Sequence, residues 1–400
     1  MEFTLNQQLK INNLVMKKSI LFFTVLSFTT LFYAQEDSFV KTIIPQDQKY
    51  SFTPIIDIEA SSVKSQGNTG TCWSFSASSF IESEIYRTSG ELIDISEMYN
   101  VRHTYPVKAW NYVMRQGKIQ FSEGGLAHDV LNSIASNGLV PESAYSGLLN
   151  ETTQHNHSKL VPALKKVLDA YIKNDKNSLY PNWRIAVDSI LDNHLGKVSE
   201  DFMYNGVYYN PTSFLKMTKV NTSDYITLTS FMHQPYNSKF VLNIPDNFSN
   251  GTFYNIKLEE LVTEVDNALK KGYTIALDCD VSEKTFSSKY GIAIIPKNIE
   301  NNEKSLTYIV EENEITPEYR QQEFENYNTT DDHLMHVIGL VKDQNNTEYY
   351  KVKNSWGSTG ERIGNGGYVY MSKAFFKLKT ISILVHKDGL SETVKKEFKI

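Results

Sequence analysis

The chain has 400 residues, of which 40% are hydrophobic and 22% charged. That is enough apolar material for a sizeable core, in one large domain or in two lobes. A formal net charge of −6, with no basic stripe and no internal repeat, argues against nucleic-acid binding and against a repeat array.

Residues 1–15 are mixed in character. Met16-Lys17-Lys18 then opens an apolar run from Ile20 to Tyr33 that ends at Ala34-Gln35. A short basic start, an apolar centre and an alanine before the cut read as an export signal, with Met16 as the natural start. The run is short, and Thr24, Ser27, Thr29 and Thr30 interrupt it, so no stable membrane anchor is expected. Phe32 is larger than the small residue usual before such a cut, and no cysteine lies near it to carry a lipid. We therefore expect 1–34 to be an N-terminal extension and signal peptide. Residues 35–400 are the expected folded domain, exported from a bacterial cell to the periplasm or beyond.

The densest run of chemically suggestive residues is Gln66-Gly67-Asn68-Thr69-Gly70-Thr71-Cys72-Trp73-Ser74-Phe75. After it, Trp73, Ala77, Phe80, Ile81, Glu84 and Ile85 fall on one face of a helix. Gly67 and Gly70 allow the preceding loop a tight approach. Cys72 thus sits where a loop becomes a helix. Free N–H groups and the helix dipole there favour a thiolate, which makes Cys72 a nucleophile candidate. The side-chain amide of Gln66 is a donor suited to an oxyanion. The bland alternative is a buried structural cysteine.

Further along, Ser96 in Ile95-Ser96-Glu97-Met98 is a candidate N-cap. Gly124-Gly125 precedes a helix spanning Leu126–Asn137 that Gly138 closes. Read locally, the glycine pair is either a turn or a place where a substrate backbone comes close. Residues 150–254 are the least informative part; Leu160–Ile172 and Asn182–Leu195 look helical. His155, His157 and His194 are scattered without ligand spacing, so no metal site is expected. An amphipathic helix from Leu258 to Leu269, closed by Gly272, leads into a strand over Tyr273–Val281. Cys279 on that strand reads as a packed thiol.

Two more segments bear on Cys72. Residues 330–340 and 349–357 both read as strands, joined by the polar turn 342–347. With a tight turn at Asn345-Asn346, facing positions sum to an odd number. His333 then shares a sheet face with Asn354 and Trp356, while His336 points the other way. A bulge would upset that count. A Cys, a His and an Asn in one site have complementary roles. His333 takes the thiol proton and returns it to the leaving amine. Asn354 orients the imidazole, Trp356 shields their bond, and Gln66 with the Cys72 N–H forms an oxyanion hole. Strands at 366–371 and 381–385 and a short tail from Lys387 complete the chain.

QGxxGxCW, then Asp-His followed by Gly339, then Asn-Ser-Trp-Gly, together resemble the signature of papain-like cysteine peptidases. The disulfide-free pattern, the Tyr208–Leu215 segment and the Cys279-Asp280-Val281 strand end are similar to the bleomycin hydrolase and aminopeptidase C branch. The resemblance implies an α+β, two-lobed fold: a helical lobe, an antiparallel β-sheet lobe and the cleft between them, with a helical insertion at about 150–254. It implies peptide-bond hydrolysis through a thioester by Cys72, His333, Asn354 and Gln66. Gly124 and Gly125 would hold substrate backbone, and Trp73 and Trp356 would support the site. No cofactor is implied. The partner is a peptide or protein substrate, and a homo-oligomer is allowed, since relatives form hexameric rings. No papain-type prosegment fits before Gln66, and the tail is shorter than the arm that restricts bleomycin hydrolases to chain ends. Aminopeptidase action and an endopeptidase with an open cleft both stay open, with a Cys-dependent acyltransferase as a further alternative.

Overall fold

The computed structural model describes residues 48–173 and 182–400. The expected signal peptide lies outside the described residues. Among the described residues, no helix is long and apolar enough to cross a membrane.

The helical layer is built on α1 (Cys72–Ser89), whose first fourteen residues, Cys72 to Ile85, are all buried. Its apolar stripe meets α2 (Glu97–Met114) and α3 (Ala127–Asn137). Its other side is lined with serines, small enough for a sheet to approach. The Ser76 hydroxyl donates to the Met335 carbonyl at 2.6 Å, and Ser74 to the Glu97 carbonyl at 2.8 Å. A helix buried on every side needs such partners for its polar groups. Ser96 caps α2 as expected, its hydroxyl accepting the Tyr99 N–H at 3.0 Å. Helices α4 (Leu160–Ile172) and α5 (Trp183–Leu195) pair beside α2, and α6 (Pro211–Thr218) is capped by Asn210.

The sheet is formed from β1 (Thr53–Asp57) and later strands; β2 (Phe202–Tyr204) and β3 (Val207–Tyr209) make a separate hairpin. The others are β4 (Tyr225–Thr229), β5 (Ser238–Val241), β6 (Thr252–Asn255), β7 (Ile275–Cys279), β8 (Phe286–Ser287), β9 (Ile292–Ala293), β10 (His333–Lys342), β11 (Glu348–Lys353), β12 (Tyr368–Ser372) and β13 (Thr380–His386). Their order is β5-β6-β4-β13-β7-β10-β11-β12-β9-β8, with β1 on the far half of β10. Two features differ from expectation. The sheet is antiparallel at its centre but mixed overall, because β4–β6 and β9–β12 run parallel. The stretch 150–254 is not only helical: its last part supplies β4, β5 and β6, which extend the main sheet beside β13.

Side chains alternate across the sheet as strand geometry demands. Ala276, Leu334 and Leu384 face the helical layer. Leu277, Met335 and Ile383 face a second core, closed by α7 (Leu258–Lys270) and α9 (Lys373–Lys379), with α8 (Pro317–Glu325) beside α9. The tail forms α10 (Glu392–Phe398) and packs on this second core, with Val394 buried and Phe398 edge-on to Tyr254 at 4.6 Å.

The β10–β11 register departs from the expected one twice. The turn is closed by the Asp343 N–H to the Thr347 carbonyl at 2.9 Å, so it holds three residues, with Asn346 at φ 64°. Lys342 therefore faces Glu348, an even sum. A bulge between Val337 and Gly339 then shifts the pairing by one, so that His336 faces Lys353. The two shifts cancel. His333 regains the parity that the tight turn would have given it.

Candidate active site

Cys72 is the first residue of α1 and is buried. His333 is the first residue of β10, and Asn354 follows the last residue of β11. His333 Nε2 lies 2.7 Å from Asn354 Oδ1. The Ser355 backbone N–H donates to the same oxygen at 2.7 Å. A backbone N–H can only donate, so that atom is the amide oxygen and Nε2 is the protonated nitrogen. Nδ1 is left with the lone pair that can take a proton. The Trp356 ring covers the imidazole, centroids 4.7 Å apart. His336, on the opposite face, is bonded through Nδ1 to Ser79 of α1 at 2.9 Å, and Lys353 donates to the same hydroxyl.

Gln66 is tied to the Asn354 segment. Its backbone N–H donates to the Ser355 carbonyl at 2.8 Å, and its Oε1 accepts the Ser355 hydroxyl at 2.7 Å. Nε2 spends one hydrogen on the Thr69 carbonyl and keeps a second. No disulfide holds this loop, since both cysteines are free. Glu123 accepts the Gly70 N–H at 2.6 Å, and Asn68 exchanges backbone bonds with His155 and His157. Trp73 donates from its indole to the Glu123 carbonyl at 3.0 Å and lies under Gly125, where a Cβ would come within 3.1 Å of its ring. At Gly124 a Cβ would fall 1.8 Å from Asp246. Both glycines are therefore required by close packing. Cys72, His333, Gln66, Gly124, Gly125 and Trp356 all line one cleft. Cys279 is fully buried on β7 and is not among its walls.

Burial pushes the Cys72 thiol up to about 12. The Leu334 N–H pulls it back, while Asp246, Asp331 and Asp278 raise it further. Burial also pulls His333 down to about 4, against the bond to Asn354. Each ion alone is costly here. A thiolate and an imidazolium formed side by side would offset one another.

Sequence reasoning missed several contributors. Ser355 stands inside the Asn-Ser-Trp-Gly motif, and its clamp on Gln66 could have been suspected there. Glu123 precedes the glycine pair. Asp331 sits two residues before His333, and Asp246 comes from the β5–β6 loop, where nothing in the sequence marks it. Among the described residues, one acidic set converges as cation ligands would: Glu82, Asp94 and Glu97. The Lys64 ammonium already bonds Asp94 and Glu97 there.

Comparison with known proteins gives the family. Residues 56–211 match the papain family cysteine protease model, and residues 198–400 match the Peptidase C1-like family model. Aminopeptidase C of Listeria monocytogenes is 25% identical over 399 residues, covering 88% of this chain and 86% of that protein. Aminopeptidase C of Listeria innocua is 23% identical over 388 residues, covering 86% and 84%. The crystal structure of pepw from Lactobacillus rhamnosis superposes with a TM-score of 0.67 at 18% identity, over 87% of this chain and 84% of that one, which speaks to the fold. The match from residue 198 onward takes in half of the chain, and the chain belongs to the Peptidase C1-like family of papain-type cysteine peptidases.

Proposed function

We propose that the protein is a cysteine aminopeptidase that acts through Cys72, His333, Asn354 and Gln66. The observation that carries this reading is the Asn354 oxygen held by both Ser355 N–H and His333 Nε2, which leaves Nδ1 as the base in the cleft of Cys72. His333 Nδ1 takes the thiol proton. The thiolate attacks the scissile carbonyl carbon, and the oxyanion receives hydrogen bonds from Gln66 Nε2 and the Cys72 N–H. His333 returns the proton to the departing amine, which leaves a thioester on Cys72. Water then attacks the thioester with His333 as base, releasing the carboxylate and restoring the thiol. Aminopeptidase rather than endopeptidase action is supported by the likeness to the two aminopeptidases C.

The test is hydrolysis of one fluorogenic peptide amide with its amine free and with it acetylated. Strongly preferred cleavage of the free form, with turnover of both forms abolished by Cys72→Ala, is the expected result. Equal cleavage of both forms would reject the aminopeptidase reading and keep the cysteine peptidase. Retained turnover in Cys72→Ala would reject the mechanism.

A further inference from the structure

The catalytic cleft carries three carboxylates, Asp246, Asp331 and Asp332, and no lysine or arginine among its walls. Asp246 stands beside Gly124 and Asp331 is bonded to the Asp246 backbone, and the proposed proton transfers between Cys72 and His333 do not use them.

Asp246 is delivered by the loop between β5 and β6, and that loop is rigidly held. Asn247, buried at its centre, bonds the carbonyls of Leu242 and Gly251 and the N–H of Gly251 at 2.8–2.9 Å. The loop is also fixed to the helical layer. Asn111 donates to the Phe248 carbonyl at 2.7 Å, and His128 pairs with Ser249 at 2.9 Å. Asp246 thereby lies against the Cα of Gly124. Its hydrogen bonds, from Ser122 at 3.3 Å and Gln120 at 3.4 Å, both end on Oδ1, while Oδ2 faces Gly124.

The opposite wall answers it. Asp331 accepts the backbone N–H of Asp246, so the loop spans the cleft from the glycine pair to the residues before His333. Asp331 is hydrogen-bonded to a second carboxyl, Asp278, buried behind it, and Asp331 Oδ2 and Asp278 Oδ1 have no other donor. Two carboxyls so close share a proton and one negative charge between them. Lys108 is the nearby cation; its ammonium is bound to the Gly124 carbonyl and offsets the charge of Asp246, which burial opposes. Asp246 and the Asp331–Asp278 pair, set against the one lysine, therefore leave one excess negative charge beside the cleft. Their oxygens do not converge as a set of cation ligands. The arrangement asks for a hydrogen-bonding cation that enters with the substrate.

We propose that Asp246 and Asp331 bind the α-ammonium of the substrate's N-terminal residue, and that the 242–251 loop is the wall that confines cleavage to the chain end. This rests on the aminopeptidase reading and assigns its specificity to residues of the β5–β6 loop and the approach to β10. The docked ammonium also offsets the carboxylates that hold the Cys72 thiol up, so a correctly seated chain end eases formation of the thiolate.

The experiment uses the full chain with aminoacyl and dipeptidyl fluorogenic amides, each free and N-acetylated. Asp246→Asn and Asp331→Asn keep the side-chain shape and remove the charge. For the free-amine form, KM is expected to rise about 10- to 100-fold in each variant, the worth of a charge-assisted hydrogen bond, with kcat little changed. Cleavage of the N-acetylated form should hold or improve, which also reports that the fold is intact. Burial, with Asp246 and Asp332 beside it, raises Asp331 to about 7. Its charged form grows as pH rises through that value, so the wild-type KM for the free form should climb below about pH 7 and that for the acetylated form should not. A wild type that prefers free amines, with both variants keeping that preference, would overturn the assignment and leave the aminopeptidase reading standing. Parallel loss on both substrate forms would overturn it too, as a structural effect. A wild type without preference for free amines would instead sink the reading beneath it.

Discussion

Two histidines three positions apart on β10 meet opposite fates. His333 faces Asn354 and the cleft; His336 faces α1 and spends Nδ1 on the Ser79 hydroxyl. Burial lowers both rings, so neither carries a standing charge, and only the position of a reacting thiol distinguishes their work. On the proposed mechanism, His333→Ala should lower kcat/KM by about 10³-fold or more, since it would remove the acid and base of both half-reactions. His336→Ala should lower the thermal midpoint, through a lost buried contact, and change kcat/KM by less than about tenfold. Steady-state kinetics and a melting curve on both variants check this. Equal kinetic losses would reject the assignment of roles. The same scale holds the clearest limit of sequence reading. Cys72, Asn354 and Gln66 sit in short motifs whose chemistry is legible in their side chains. Asp246 sits in a Pro-Asp-Asn turn like many others, and only its distance to Gly124 gives it meaning.

At the scale of elements, helix starts were readable because a cap is a local device. Ser96 accepts the Tyr99 N–H within one turn, as its position before Glu97 suggested. Ser96→Ala should cost about 1 kcal/mol, read as a lower urea midpoint at unchanged slope, with kcat unaltered. A change in kcat of tenfold would mean that the cap also positions the cleft. The β10–β11 pair was less readable. Parity placed His333 beside Asn354, but through a two-residue turn and an unbroken ladder. The strands instead combine a three-residue turn with a bulge at Val337–Gly339. The bulge answers to β1 and the residue after it. The Ile58 N–H donates to the Ile338 carbonyl at 2.9 Å, and the register of β1 with β10 shifts between Pro54 and Ile56. A third strand decides such a feature, and a two-strand count cannot contain it.

At the scale of the molecule, the two cores meet where the catalytic segments end, and buried charges hold that junction. Lys379 closes α9 with no exposed surface. It donates to the Asn328 carbonyl at 2.6 Å and pairs with Glu283 at 2.6 Å and Asp280 at 3.9 Å. Asp280 in turn accepts the Thr330 N–H at 2.8 Å, three residues before His333. Lys379→Met keeps the apolar stem but strands Asp280. We expect a loss of about 3 kcal/mol or more in stability, and a fall in kcat as the 328–332 segment loosens. Unchanged stability by chemical denaturation would show that Asp280 is satisfied without the lysine.

The sequence by itself determined the family and with it the cysteine-peptidase class, because Cys72, His333, Asn354 and Gln66 stand in short motifs, each with its own local geometry. It also determined the helix carrying Cys72 and the strands carrying His333 and Asn354, since their periods of 3.6 and 2 are written in neighbouring residues. Tertiary structure alone decided the rest. It turned the end of the 150–254 stretch into strands of the main sheet and drew the β5–β6 loop across the cleft. It also set Asp246 over Gly124, residues 122 positions apart in the chain. Contacts of that kind depend on how separate cores pack, and no local propensity records them.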